Sequence, residues 1–308
     1  MAGGNMRPLY IVLLLCTSFL WGGNFVVGKF LVGHASSLTL TNLRWLIAVV
    51  CLLPVVWIRE KRIFPTREAL LPLIVMGVTG VALFNLFMFW ALERTDATNV
   101  GLLSTLNPVS IAIFSFLLVG EKIRPLQIVA MLVSFAGILV VMTKGDFAHL
   151  SQLHFNTGDL WMLAAVAMWG IYSVCGRWAM KTVSPMMSTL YSGIFGVALM
   201  LPFNVTTFTI SNTDWTFWLS LFYVGVMATV VSMVLWNIGV QKVGATSAGM
   251  FLNFNPIFTA ILAFLLLGER MTIIQLLGSV IVIVGCYMFS RLKHVTTPKA
   301  HAIKQAQG

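Results

Sequence analysis

The chain has 308 residues, 59% of them hydrophobic and only 9% charged, with a formal net charge of +10. A soluble domain carries roughly 25% charged residues, so water is not the main solvent for this surface. No stretch is polar enough to build a soluble domain, which excludes nucleic-acid binding as the purpose of the positive charge.

Apolar runs of about 20 residues recur along the whole length, enough to cross a hydrocarbon core of roughly 30 Å at 1.5 Å per residue. In chain order they predict ten spans, near 10–32, 38–58, 69–92, 97–119, 125–143, 160–180, 186–205, 215–239, 245–267 and 271–290, and so an all-α integral membrane fold. The first run lacks a small-residue cleavage site and reads as a retained span rather than a signal peptide. On span 1, Trp21, Asn24 and Gly28 share a helical face, and Lys29 reads as an anchor snorkelling from the outer end. In span 2, Arg44 lies roughly 9 Å from the outer end. A cation there needs water, a carbonyl or an anion. It could bind a substrate carboxylate or hold an outer gate; equally, it could snorkel outward or pair with loop carbonyls.

Span 3 carries Asn85 on its polar face, and Trp90 reads as an interfacial aromatic. On span 4, Ala97 and Gly101 form a small-xxx-small pair, while Gly101, Thr105 and Pro108 share a face. Pro108 removes a backbone donor and frees a carbonyl about one turn earlier. Asn107, beside that kink, fits either local backbone bonding or contact with a solute. The connection 144–159 contains His149, His154, Asp146 and Asp159 and reads as a solvated outer linker. On span 6, Trp169, Tyr172 and Gly176 repeat the spacing of span 1. Span 8 offers Ser232, Trp236 and Asn237. Span 9 offers Ala245 with Gly249, then Asn253, Asn255 and Pro256.

Several of these coincidences are one coincidence. Residues 21–140 recur at 169–288 with a fixed offset of 148. Trp21-Gly22 returns as Trp169-Gly170, Asn107-Pro108 as Asn255-Pro256, Gly120-Glu121-Lys122 as Gly268-Glu269-Arg270, and Gly137 as Gly285. The chain therefore divides into two five-helix units, 10–143 and 160–290, followed by a basic tail, 291–308. An odd number of crossings turns the second unit over in the bilayer, the inverted repeat common among secondary transporters. The basic residues agree. With the N-terminus inside, most of the 19 Lys and Arg fall in cytoplasmic segments, and Lys29, Arg44, Arg94, Lys144 and Arg270 fall outside. By the positive-inside rule both termini are cytoplasmic, and the basic tail suits an anionic inner leaflet.

Acidic residues and histidines all lie at span ends or in loops. A buried carboxylate is the usual proton relay and the usual counter-ion for a cationic drug. Its absence argues for gradient-driven flux or exchange. The same absence leaves no constellation to activate water or a nucleophile, so an enzyme is not expected. Cys16, Cys51, Cys175 and Cys286 lie inside apolar runs, read as small hydrophobes, and no cofactor or metal is expected. The polar groups left inside are mostly neutral, and two faces related by the offset are expected to oppose each other and line a shared cavity.

The run Phe89-Trp90-Ala91-Leu92 to Ala97, then Leu106-Asn107-Pro108, Gly120-Glu121-Lys122 and Gly137, with its second copy from Val240 to Gly285, resembles the EamA-type repeat of the drug/metabolite transporter superfamily. Phe19-Leu20-Trp21-Gly22-Gly23-Asn24 and Leu43-Arg44-Trp45 are similar to the same family. The resemblance implies ten helices in two inverted five-helix units around a central cavity. It also implies export or exchange of small metabolites, amino acids among them, while other branches carry nucleotide sugars or phosphorylated sugars. Small multidrug members use a buried glutamate in the first helix, which this chain lacks. The expected protein is a multi-pass plasma-membrane (bacterial inner-membrane) carrier working by alternating access, with efflux of neutral or aromatic amino acids as its activity. Its partners would be a small-molecule substrate and the lipid bilayer, with no obligatory protein partner. Carriage of nucleosides, sugars or drugs is the alternative, and a non-transporting scaffold or sensor the remote one.

Overall fold

The structure, a computed structural model, describes residues 8–61, 64–120, 125–143, 156–206, 208–211, 213–268 and 272–291. Expectations for Glu121, Glu269, His149, His154 and most of the tail 291–308 fall outside them. The described residues are helical, with only isolated bridges at Val32–Ala35 and Ala35–Ile210.

In chain order the helices are α1 (Pro8–Leu31), α2 (Ser37–Glu60), α3 (Arg67–Leu92), α4 (97–119), α5 (Pro125–Thr143), α6 (Thr157–Ala179), α7 (Pro185–Val205), α8 (Trp215–Val243), α9 (245–267) and α10 (Ile273–Arg291). Among the described residues 7 stretches are long and apolar enough to cross a membrane; 128–137, 251–267 and 276–285 are shorter apolar stretches. Large apolar side chains such as Trp57, Ile58, Leu117, Phe203 and Trp215 are exposed. A bilayer, not water, is the solvent that accommodates them.

Local sequence explains the ends. Ser36 and Ser184, related by the offset, both cap helices: Ser36 Oγ accepts from the Thr39 amide at 3.2 Å and Ser184 Oγ from the Met187 amide at 3.0 Å. Gly120 and Gly268 close α4 and α9 with φ of +72° and +68°, a left-handed conformation that glycine adopts without a Cβ penalty. That is the physical content of the repeated Gly-Glu-basic motif.

The interiors of four helices are irregular in matching places. α3 widens to a π-helix over Gly77–Leu83 and α8 over Tyr223–Val231. α4 narrows to 3-10 over Ser104–Leu106 and α9 over Met250–Phe254, each just before an Asn-Pro pair. The missing proline donor expresses itself as this change of winding, with Pro108 and Pro256 in the first turn of the resumed α-helix, where no donor is required.

Contacts between the two copies are reciprocal. A Cβ on Gly137 would stand 2.7 Å from the Val282 nitrogen and 2.8 Å from the Gly278 carbonyl; one on Gly285 would stand 2.6 Å from the Ser134 nitrogen and 2.8 Å from the Ala130 carbonyl. Gly22 likewise faces Phe258 and Gly170 faces Ser110, Gly101 faces Thr259 and Gly249 faces Ile111, Gly77 faces Phe195 and Gly225 faces Ile47. In each case the second pair is the first pair with its partners exchanged across the offset, as a two-fold relation produces. Lipid offers no hydrophobic drive between helices, so such close backbone approach at small residues carries the association.

Two expectations need correction. Asp159, read as part of the solvated linker, is buried in the first turn of α6. Lys29 does not snorkel. Its Nζ donates to the Leu92 carbonyl at 2.6 Å and the Thr95 carbonyl at 2.8 Å, closing the end of α3. The reason is proximity: orphan carbonyls at a helix C-terminus attract a cation.

Candidate functional site

The midpoint of the molecule is a cluster of indole rings. Trp21 of α1 and its counterpart Trp169 of α6 meet edge to face, centroids 5.1 Å apart at 84°. Trp236 of α8 lies 5.5 Å from Trp21 and 5.7 Å from Trp169; Phe84 of α3 packs 5.2 Å from Trp169. Trp21 is fixed further by donating from Nε1 to the Ala228 carbonyl at 3.0 Å, a carbonyl within the π-helical part of α8.

Hydroxyls fasten α1 to its neighbours. Ser18 donates to the Phe251 carbonyl, Tyr223 to Leu20 and Thr259 to Gly22. The walls are therefore held by side-chain bonds to backbone carbonyls, which lets helices with irregular winding keep their polar groups satisfied.

Against this cluster lies a partly open cavity of about 30 Å3, lined by Trp21, Asn24, Phe25, Arg44, Phe84, Asn85, Asn107, Trp169, Met233, Leu252 and Asn255. Part of its polar lining is unpaired. Asn24 Oδ1, Asn107 Oδ1, Asn255 Oδ1 and Trp169 Nε1 are buried without a hydrogen-bond partner. Native interiors leave few such groups, so each needs an explanation. These four belong to residues that line one cavity, and a polar occupant would account for them together.

Arg44 is the only charge in that lining and is 3% exposed. Its Nε and Nη2 donate to Thr229 Oγ1 at 3.0 and 2.9 Å, and its Nη1 donates to Asn85 Oδ1 at 2.7 Å. Both acceptors belong to the irregular helices. Asn85 spends its own amide on the Gly80 and Val81 carbonyls of the π-turn in α3, at 3.0 and 2.9 Å. Thr229 donates to the Val224 carbonyl in the π-turn of α8 at 2.7 Å. Among the described residues the one ion pair is Arg94–Glu93, an exposed contact at 2.8 Å. Arg44 is thus a buried cation with neutral partners. It neither snorkels nor bonds loop carbonyls, and it brings α2 to the cavity.

The structure gathers Trp21, Asn24, Arg44, Asn85, Asn107, Trp169 and Asn255 around this space. Tyr172 stands outside it: its ring stacks on Trp169 at 4.9 Å, covers Gly80, and its hydroxyl meets Met233 Sδ at 3.8 Å. Trp236 backs the indole cluster, with its Nε1 unpartnered, and Asn253 Oδ1 is also buried without a partner away from the lining. Ser232 donates to the Met227 carbonyl of its own helix, and Thr105 is buried beyond the wall. Phe25, Phe84, Met233 and Leu252 were not foreseen, because an apolar residue in an apolar span offers no contrast. Thr229, the partner of Arg44, gave no signal either. The two offset-related faces therefore meet at Trp21 and Trp169 and then diverge: Asn24, Arg44 and Asn85 correspond to Tyr172, Ser192 and Met233. Among the described residues no group of His, Cys, Asp and Glu is placed to hold a metal ion.

Comparison with known proteins places these observations. The model of the EamA-like transporter family matches residues 8–143 and again 156–291. The chain is 27% identical to the uncharacterized transporter YyaM of Bacillus subtilis, over 98% of this chain and 99% of that protein. An uncharacterized transporter of Archaeoglobus fulgidus is 27% identical over 92% of this chain and 98% of its own length. The uncharacterized inner membrane transporter YicL of Salmonella typhimurium is 25% identical over 90% and 93%. A solved crystal structure shares the fold with a TM-score of 0.68 at 19% identity, covering 94% of this chain and 100% of its own.

Proposed function

This chain belongs to the EamA-like transporter family, and from that premise we propose that it is a secondary transporter exporting neutral and aromatic amino acids across the plasma membrane by alternating access. That it is a multi-pass membrane protein follows from the family and the apolar helices together. The reciprocal glycine contacts at one offset support two inverted five-helix units, and the distribution of Lys and Arg supports cytoplasmic termini. The observation that carries the reading is the cavity whose amide oxygens and indole nitrogen lack partners. A buried polar group left alone costs about 1–3 kcal/mol. A protein retains several in one place when a transient occupant satisfies them. Aromatic walls suit an aromatic or aliphatic side chain, and the amides suit its polar end.

The test is uptake of labelled neutral and aromatic amino acids into proteoliposomes, with and without a pH gradient, for wild type, Trp21→Ala and Asn24→Ala. Saturable flux abolished by folded variants is the expected result. A strict pH-gradient requirement would overturn the uncoupled mechanism argued from the lack of a mid-span carboxylate. Flux of nucleosides or sugars with none of amino acids would replace the substrate class and keep the carrier.

A further inference from the structure

Arg44 offers more than its present partners use. A guanidinium has five N–H donors, and three are taken: Nε and one Nη2 hydrogen by Thr229, one Nη1 hydrogen by Asn85. Thr229 occupies the Nε/Nη2 side of the group, and one donor remains on each Nη nitrogen for a carboxylate oxygen. The group is buried, lines the cavity and has no counter-ion among the described residues. A cation so placed is costly unless something negative visits it. On Asn24, Asn107 and Asn255 of the same lining the unpaired atom is the acceptor oxygen, while Trp169 offers one further donor.

Resting on the transport reading above, we propose that Arg44 is the specificity-determining residue of this cavity: it receives a carboxylate of the solute, while the amide oxygens of Asn24, Asn107 and Asn255 accept from an N–H donor on the same molecule. One fixed cation against several neutral acceptors matches a singly charged carboxylate better than a doubly charged phosphate. The offset sharpens the argument. The counterpart of Arg44 is Ser192, and the counterparts of Asn24 and Asn85 are Tyr172 and Met233. The cavity therefore has a single cationic pole, and a bound solute has a single orientation.

The experiment is binding to the purified full chain in detergent, read by tryptophan fluorescence and thermal stabilisation. The probes are L-phenylalanine, L-leucine, 3-phenylpropionate, L-phenylalaninamide, phenethylamine and phenyl phosphate. Truncating one partner of a buried charge pair costs 2–5 kcal/mol, so the carboxylate-bearing probes are expected to bind at least about 30-fold more tightly than the amide and the amine. In Arg44→Gln this preference disappears, and in Arg44→Lys it survives in part. Should Arg44→Gln fail to fold, Arg44→Lys decides: a point cation in place of the planar guanidinium keeps part of the carboxylate preference and loses part of it. Equal binding of L-phenylalanine and its amide, an unchanged preference in Arg44→Gln or in Arg44→Lys, tighter binding of phenyl phosphate, or no binding of any carboxylate probe would each overturn the proposal. Binding is read apart from flux. A carboxylate preference with no transport sinks the transport reading alone, and transport of neutral nucleosides without that preference sinks this one alone.

Discussion

Gly80 is the position where one added methyl group tests the geometry of the interior most directly. It lies in the π-turn of α3, beneath the ring of Tyr172. A Cβ there would stand 2.5 Å from Tyr172 Cγ and 2.9 Å from its Cβ, against an optimal carbon separation of roughly 3.5–4.0 Å. The ring has nowhere to go. It is fully buried and stacked on Trp169 at 4.9 Å, so a shift of about 1 Å would propagate into the indole cluster. Overpacking of this kind costs about 1–3 kcal/mol, while alanine regains up to about 1 kcal/mol of helix propensity. Gly80→Ala is expected to destabilise by about 1–2 kcal/mol. Tyr172→Ala alone costs about 3–5 kcal/mol, but in that background Gly80→Ala becomes neutral or stabilising. The assay is reversible unfolding in mixed micelles for the four proteins of the double-mutant cycle, with a coupling of about 1–3 kcal/mol expected. An equal penalty for Gly80→Ala in both backgrounds would refute the reasoning and assign the glycine to the π-turn itself.

Gly137→Leu and Gly285→Leu each place a side chain against backbone of the facing helix, and unfolding in the same micelles should show both losing more than about 1 kcal/mol, by similar amounts because the contacts are reciprocal. Trp21→Phe keeps a ring in the cluster but leaves the Ala228 carbonyl without its donor, so stability should fall by about 1 kcal/mol in that titration; a neutral outcome would mean water replaces the indole. Ser36→Ala removes a cap worth about 1 kcal/mol and a neutral contact with Thr39 Oγ1, while Ser184→Ala removes a cap and a charge-assisted bond from Ser184 Oγ to Glu60. Hydrogen exchange at the start of α2 and α7 should rank Ser184→Ala as the more damaging.

Much of this architecture is legible in the sequence because polar residues are conspicuous against an apolar background. The offset of 148 is visible in glycines and tryptophans whose positions are set by backbone approach and ring packing, so the same residues that reveal the repeat make its contacts. Asn24, Arg44, Asn85, Asn107 and Asn255 stand out in the sequence and stand together in space. What was hidden is hidden for physical reasons. The π-turns of α3 and α8 are backbone events that leave no hydrophobic period to read, and Thr229 matters only because its helix is widened there. Tyr172 and Asn24 occupy equivalent positions, yet one fills a void over Gly80 and the other faces one. Equivalence in sequence fixes where a side chain stands and leaves open whether space remains beside it. Tyr172, Trp236, Thr105, Ser232 and Asn253 show the corollary: polar contrast marks candidates, and only the neighbours decide which of them face a cavity.

The single guanidinium has a bearing on ancestry. Had one copy of the repeat paired with an identical second copy, every residue at the centre would come twice, and an arginine at this position would face another. Two cations would then repel each other in a dry interior, and symmetry would forbid relieving either one alone. Joining the copies in one polypeptide releases them from that constraint. Arg44 stands in one half and Ser192 in the other, while the indole pair at Trp21 and Trp169 keeps the two-fold relation. An odd number of charges on an even-numbered scaffold requires halves of different sequence, which one polypeptide provides.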